Sequence, residues 1–191
     1  SYMLYARHRA APGPELFEAL KLDVPNVSSR MDNLRAAILR PQIGMLDDRR
    51  ARWRRLYQGM ERGLAGVPGV QLIPRPQHED YVGSSFQFLL PGWEPARVAS
   101  FVAGAAARGV ELKWFGAADP AGFTSRYAHW QYARPEALPQ TDRVLAGLID
   151  MRLPLTFSVG DVAQIARIVG DEAGRAAAAV SVAPVAAPVA D

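Results

Sequence analysis

The sequence predicts an α+β domain entered by a long, broken helical arm, and three observations predict it. Apolar residues recur at helical spacing from Met31 to Leu64. Two short stretches of strand composition come next, over 70–73 and 81–90. Beyond them helical and extended segments alternate, but the extended ones are few and short. The 191 residues, 49% hydrophobic and 21% charged, hold enough apolar material for one sizeable core or two small ones. That composition excludes a disordered, collagen-like or membrane-embedded chain.

Residues 1–29 read as a connector. They mix Tyr2, Met3, Leu4 and Tyr5 with charge, break at Pro12-Gly13-Pro14, and hold one short helical stretch over 15–20. The chain begins at Ser1 instead of Met, and we expect it to be a piece of a longer protein. The arm, residues 30–66, starts near Arg30 with Ser28 or Ser29 as N-cap and Asp32 in the first turn. Met31, Leu34, Ile38 and Met45 form its first stripe. A kink or restart is expected at Pro41, which cannot donate to the helical ladder. Leu46, Trp53, Tyr57, Met60 and Leu64 then continue the stripe.

Residues 67–172 read as the small α+β domain. After the Pro68-Gly69 turn come a strand over 70–73 and a longer one over 81–90, with Val82, Ser84, Phe86, Phe88 and Leu90 on one face. A helix is expected over 95–108, with Val98, Phe101, Val102 and Ala105 inward and Gly109 as its stop. Residues 110–115 read as a strand, 140–150 as a helix, 152–155 as extended, and 159–169 as a helix capped by Ser158. From 173 to 191 the sequence is nearly all Ala, Val and Pro, and it reads as a disordered tail. No repeat of domain scale is visible.

Composition narrows the chemistry. The net charge is +3, and lysine occurs only at Lys21 and Lys113. So mild an excess does not point to nucleic acid. With no cysteine, disulfides, thiolate metal sites and a cysteine nucleophile are excluded. No secretory leader and no 18-residue apolar run occurs, so the expected compartment is the cytoplasm, without membrane association. His8, His78 and His129 have no partner at metal-ligand spacing, and no metal is expected. No dinucleotide, P-loop or hydrolase motif is present. Arg49, Arg50, Arg52, Arg54 and Arg55 scatter around their helix and have Asp47, Asp48 and Glu61 nearby, which reads as a solvated surface.

Candidate functional residues remain. Lys21 sits in a polar turn. Lys113, between Leu112 and Trp114, either reaches a pocket or lies along a strand with its amine in water. Residues 116–134 are long for an idle loop. With Lys113 and Trp114 they bring together aromatic faces, hydroxyls and the Arg126 guanidinium, a set suited to a polar ligand with a ring or phosphate. An aromatic loop packed on the core accounts for the same residues equally well.

The block Asn26-Val27-Ser28-Ser29-Arg30-Met31-Asp32-Asn33-Leu34-Arg35-Ala36-Ala37-Ile38, then Pro41-Gln42-Ile43 and Leu46-Asp47, resembles the signature block of the DegT/DnrJ/StrS family. The order of the later segments, through Arg108-Gly109-Val110, Leu138-Pro139 and Leu153-Pro154-Leu155, is similar too, and the resemblance spans about 24–169. It implies the C-terminal part of a fold-type I aminotransferase that uses pyridoxal 5'-phosphate (PLP): a kinked helical arm and a small, mainly antiparallel sheet covered by helices. In such enzymes an amino group passes from an amino acid, usually glutamate, to a keto acceptor, mostly a nucleotide-linked keto sugar. The Schiff-base lysine of the family precedes the signature block, so the resemblance implies no catalytic residue here, a cofactor held mainly by a preceding part, and a homodimer formed through the arm.

Carried over residue by residue, Ser28 takes the place of an asparagine that reaches the cofactor phosphate of the neighbouring subunit, and Asn26 stands two residues earlier. Arg30 is retained and can pair with a substrate carboxylate or phosphate. Lys113, Trp114 and Arg126, singled out above by composition and not by the resemblance, complete the candidate substrate contacts. This chain has Trp114-Phe115-Gly116 and Asp119-Pro120 where the family commonly has a Tyr-x-Pro-x-His-like loop. The alternative from another class is a non-catalytic interaction or regulatory domain derived from the same fold.

Overall fold

The computed structural model describes residues 23, 31–122, 124–134 and 136–181. Asp32 opens the first helix, α1 (Asn33–Ile43): its carboxylate accepts the Arg35 N–H at 2.8 Å, satisfying a donor that the helix start leaves unpaired. The cap is therefore Asp32, not a serine; Ser28 and Ser29 lie outside the described residues. Pro41 does not end the helix. It sits inside α1, and the interruption comes one turn later at Gly44 and Met45, where the Met45 N–H closes on the Gln42 carbonyl at 3.2 Å. A proline weakens the turn before it, whose carbonyl loses a donor, so the ladder fails soon after. α2 (Leu46–Leu64) then restarts and buries Leu56, Tyr57, Met60 and Leu64.

Among the described residues the first stripe of the arm stays largely uncovered. Met31 is 63% exposed, Leu34 71%, Ile38 56% and Ile43 70%, and α1 buries none of its residues.

Four antiparallel strands, β1 (Gln71–Leu72), β2 (Ser85–Leu89), β3 (Lys113–Trp114) and β4 (Leu148–Arg152), form one sheet in the order β1-β2-β4-β3. Side chains alternate between faces, so Phe86 and Phe88 of β2 and their partners Met151 and Ile149 of β4 are buried together. Helices cover that face. Tyr57 of α2 meets Phe86 with ring centroids 4.8 Å apart, and Phe101 of α3 (Pro95–Ala107) meets Phe88 edge-on at 6.3 Å. The last helix, α5 (Val159–Ser181), joins α2 and α3 and adds Val162, Ala166 and Val169 to the core. It packs on α2 through small residues: Gly59 faces Val162, and Gly63 faces Ala166.

Several expectations change. Residues 148–152 are not the end of a helix but the strand between β2 and β3; α4 (Pro139–Gly147) stops at Gly147. Gly147 lies against the Leu90 backbone, where a Cβ would stand 2.7 Å from the Leu90 carbonyl oxygen, and its own carbonyl accepts the Leu90 N–H at 2.9 Å. That contact draws the chain from helix into sheet. β2 begins only at Ser85, because Gly83, in a left-handed conformation (φ +72°), packs on the Tyr57 ring, and Val82 is left exposed. β3 is two residues long: Val110 and Leu112 are buried without joining the sheet. Nor is the segment after 173 wholly a tail. Helix α5 continues to Ser181 with Ala173 and Ala176 buried, since small side chains there pack closely where large ones are not needed. Residues 1–22, 24–30 and 182–191, which include most of the connector and the end of the expected tail, lie outside the described residues.

Gly63→Val places a side chain where a Cβ alone would stand 2.4 Å from the Ala166 Cβ. It should lower stability by about 1–3 kcal/mol, measured by urea unfolding. At the start of α5, the Ser158 N–H and hydroxyl both donate to Asp161 at 2.8 Å and hold its carboxyl below the usual range. A depressed folded-state pKa contributes stability above the unfolded value of about 3.9, and this contribution is lost as pH falls through the folded value. The stability difference between the parent and Asp161→Asn should therefore shrink below about pH 4, read from acid unfolding curves.

Candidate functional site

The outer face of the sheet carries polar side chains. Asp150 pairs across the ladder with Gln87 on one side and Lys113 on the other, so the three share a face opposite Ile149 and Met151. Asp150 is only 6% exposed. A buried carboxylate needs donors, and it has them: the Ser85 hydroxyl and the Gln87 amide, the latter at 2.6 Å, both donate to Oδ1. Lys113 Nζ stands 3.9 Å from Oδ2. Lys113 is thus held along the sheet by a carboxylate partner, with about a third of its side chain exposed. Sequence alone does not single out Asp150, because 140–150 reads as helix, where this residue would not face Lys113.

Adjacent strand residues point to opposite faces, and Trp114 therefore leaves Lys113 behind. Its indole N–H donates to the Ala146 carbonyl at 2.8 Å, which ties β3 to α4, and its ring packs against the core.

Arg126 opens a third region. The loop closes on itself through mutual backbone bonds between Ala121 and Thr124, then forms a 3₁₀ turn at Tyr127–His129. Loop side chains build it. The Tyr127 hydroxyl donates to Asp142 at 2.9 Å and accepts the Leu138 N–H at 3.2 Å, anchoring the turn to the start of α4. Desolvation, then the Asp142 carboxylate, push the Tyr127 phenol above its usual range, so it stays a neutral donor. The Trp130 indole donates to the Ser125 hydroxyl at 2.9 Å and stacks on Tyr132, centroids 5.7 Å apart. No hydrogen bond or ion pair joins Lys113, Trp114 and Arg126 to one another among the described residues, and Ser28, Asn26 and Arg30 lie outside them.

The arginines of α2 are engaged: Arg50 and Arg54 both pair with Asp80, and Arg49 donates to Gln42 at 2.9 Å. Arg75 lies over the Tyr81 ring at 4.7 Å and pairs with Glu79 at 2.9 Å. These contacts fasten 75–81 across α2 and leave an open depression of about 410 Å³ lined by Arg54, Gln58 and 76–81. The described residues include no cluster of His, Asp or Glu able to hold a metal ion, and no helix among them is long and apolar enough to cross a membrane.

The family model of the DegT/DnrJ/EryC1/StrS aminotransferases matches residues 10–170. The chain belongs to this family. Among solved structures, this family member is similar to the aminotransferase TlmJ from Streptoalloteichus hindustanus at 19% identity and a TM-score of 0.61, over 86% of this chain and 46% of that one. DesI, solved in the presence of its TDP-sugar product, is similar at 17% identity and a TM-score of 0.61, over 88% and 44%. 3-Amino-5-hydroxybenzoic acid (AHBA) synthase is similar at 18% identity and a TM-score of 0.56, over 85% and 47%. This chain thus spans a little under half the length of these structures and shares their fold. A comparison with curated protein sequences gave no match.

The family is PLP-dependent. Lys113, the lysine among the described residues, is engaged with Asp150. Removing the carboxylate with Asp150→Ala leaves the Ser85, Gln87 and Lys113 donors unpaired, which should cost about 1–3 kcal/mol in urea unfolding. Lys113→Met should cost less than about 1 kcal/mol, because a partly exposed pair at this distance contributes little.

Proposed function

We propose that this chain is the C-terminal, small-domain part of a PLP-dependent aminotransferase that moves an amino group from an amino acid, with glutamate the expected donor, to a keto acceptor. The observation that carries the proposal is the family match over 10–170 on the described fold. The DesI structure, solved with a TDP-sugar product, supports a nucleotide-linked keto sugar as the acceptor class. Bound in a longer protein, the cofactor supplies an electron sink for proton removal from the donor amino acid. The present chain contributes contacts around that reaction. Ser28, with Asn26 beside it, donates to the cofactor phosphate of a neighbouring subunit, and Arg30 pairs with a substrate carboxylate or phosphate. From the small domain, Lys113 of the outer sheet face and Arg126 of the 116–134 loop are the proposed substrate contacts, while Trp114, turned to the core, supports β3. The arm forms the homodimer contact, a reading supported by the uncovered stripe of Met31, Leu34, Ile38 and Ile43. A cytoplasmic location and the absence of nucleic-acid and membrane partners belong to the same reading.

One observation favours a second reading, a non-catalytic interaction or regulatory domain: Ser28 stands where the family has asparagine, and a serine hydroxyl reaches less far. Turnover separates the two. The 191-residue chain alone should show no transaminase activity and no cofactor absorbance, since Lys21 lacks the sequence surroundings of the family's lysine and Lys113 is paired with Asp150, and measurable turnover by it would refute this assignment. The longer protein should turn over. There, Ser28→Ala should weaken cofactor retention by about tenfold, one phosphate hydrogen bond, read by dialysis and absorbance. Unchanged retention would make Ser28 a structural residue only.

A further inference from the structure

The polar pair on the outer face of the sheet is incomplete at one oxygen. Asp150 Oδ1 is saturated, because the Ser85 hydroxyl and the Gln87 amide both donate to it. Oδ2 receives neither. Among the described residues the one cation within ion-pair distance of it, Lys113 Nζ, stands 3.9 Å away, about 1 Å too long for an N–H···O hydrogen bond. Nor does Nζ reach another acceptor among these residues. A carboxylate only 6% exposed is thus left with one open oxygen, which is costly unless a donor meets it.

Both atoms can be reached from outside. Among the described residues, the fully buried side-chain atoms that lack a hydrogen-bond partner are nitrogens of Arg54, Arg97, Arg126 and His129. Oδ2 lacks a partner too but is not one of them, so it keeps contact with solvent. About a third of the Lys113 side chain is exposed. Helices α2 and α3 pack on the opposite face, against Phe86 and Phe88, and the gap between Nζ and Oδ2 opens on the face they leave bare.

The chemistry of the gap selects its occupant. An ammonium only donates and an ionised carboxylate only accepts, so a single atom that satisfies both must accept and donate at once. A hydroxyl does so. An oxygen about 2.8 Å from each atom spans the 3.9 Å gap without moving either. A ligand phosphate or carboxylate would meet Nζ but stand against the charge on Oδ2, and a ligand ammonium would meet Oδ2 but stand against Nζ. A keto oxygen accepts from Nζ and offers Oδ2 nothing. Water has the same two capacities as a hydroxyl, and a ligand hydroxyl that takes its place reproduces both of its bonds.

We infer that Lys113 and Asp150 form a hydroxyl-binding site, in which one hydroxyl of a sugar accepts from the Lys113 ammonium and donates to Asp150 Oδ2. Ser85 and Gln87 are positioning residues, since they occupy Oδ1 and leave Oδ2 to the ligand. The inference deepens the proposed function and rests on it for the identity of the sugar as part of the acceptor. It assigns Lys113 to the sugar ring instead of the diphosphate, and it adds Asp150 to the contacts.

The test exploits the scarcity of lysine. Labelled with heavy carbon at lysine Cε, the 191-residue chain gives two NMR signals, from Lys21 and Lys113, assigned through Lys113→Met. TDP-glucose, TDP-galactose and TDP are titrated separately at matched ionic strength. At least one of the two sugars should shift the Lys113 signal saturably, and TDP should not. Asp150→Asn should weaken the sugar's binding by about tenfold, the loss of one hydrogen bond to a charged group. A phosphate seated on Lys113 predicts the opposite sign, because removing the neighbouring negative charge would tighten it. If Asp150→Asn does not fold by circular dichroism, Lys113→Met decides: calorimetry should show sugar binding weakened about tenfold relative to the parent. Response to neither sugar, an equal shift with TDP, or binding unweakened in the folded variants would overturn the site. Turnover is not part of this readout. A longer protein that transaminates while Lys113 ignores both sugars sinks the site alone, and a sugar-dependent shift without turnover in the longer protein sinks the functional reading alone.

Discussion

The close approach of α2 to α5 is the constraint on which the rest of the domain depends. Gly59 and Gly63 lie one turn apart on α2, opposite Val162 and Ala166 on α5, and nothing larger than hydrogen fits at Gly63 without displacing Ala166. With α5 so near, α2 can set Tyr57 on Phe86 and α3 can set Phe101 on Phe88, so one sheet face meets helices from both sides. That burial fixes the register of β2 against β4. A slip of β2 by one residue would bring Gln87 into the core and expel Phe86 and Phe88.

The same register decides where charge goes. Asp150 is placed between Gln87 and Lys113 on the outer face, held within the sheet, and Glu172 is satisfied by Arg108 and Arg175 on the helical side. Asp80 draws Arg50 and Arg54 together over the surface of α2. Nearly every charge withdrawn from water has an internal answer. Among the described residues four buried side-chain nitrogens are exceptions without a hydrogen-bond partner, the Nε of Arg54, Arg97 and Arg126 and the Nε2 of His129.

Much of the fold was legible because helical periodicity and a single Gly or Pro at a boundary are local signals. The buried stripe of Tyr57, Met60 and Leu64, the helix over 95–107 with Gly109 beyond it, and the Ser158 cap all depend on residues near one another in sequence. The errors have a shared cause. Leu148, Ile149 and Met151 continue the apolar pattern of α4, and only the approach of Gly147 to Leu90, nearly sixty residues away, turns them into a strand. Asp150 was lost with that strand. Lys113 and Trp114 looked like one site because they are neighbours in sequence, whereas a pleated strand sends them apart. Arg126 is legible as a candidate, but its surroundings are not, since they depend on where the rest of the loop and its neighbours fold.

Helix α1 is capped and regular yet buries nothing, so no part of the domain's hydrophobic stabilisation reaches it. Its amides should therefore exchange with solvent nearly independently of the core: protection across 33–43 would be a gauge of assembly, and protection across β2 and β4 a gauge of folding.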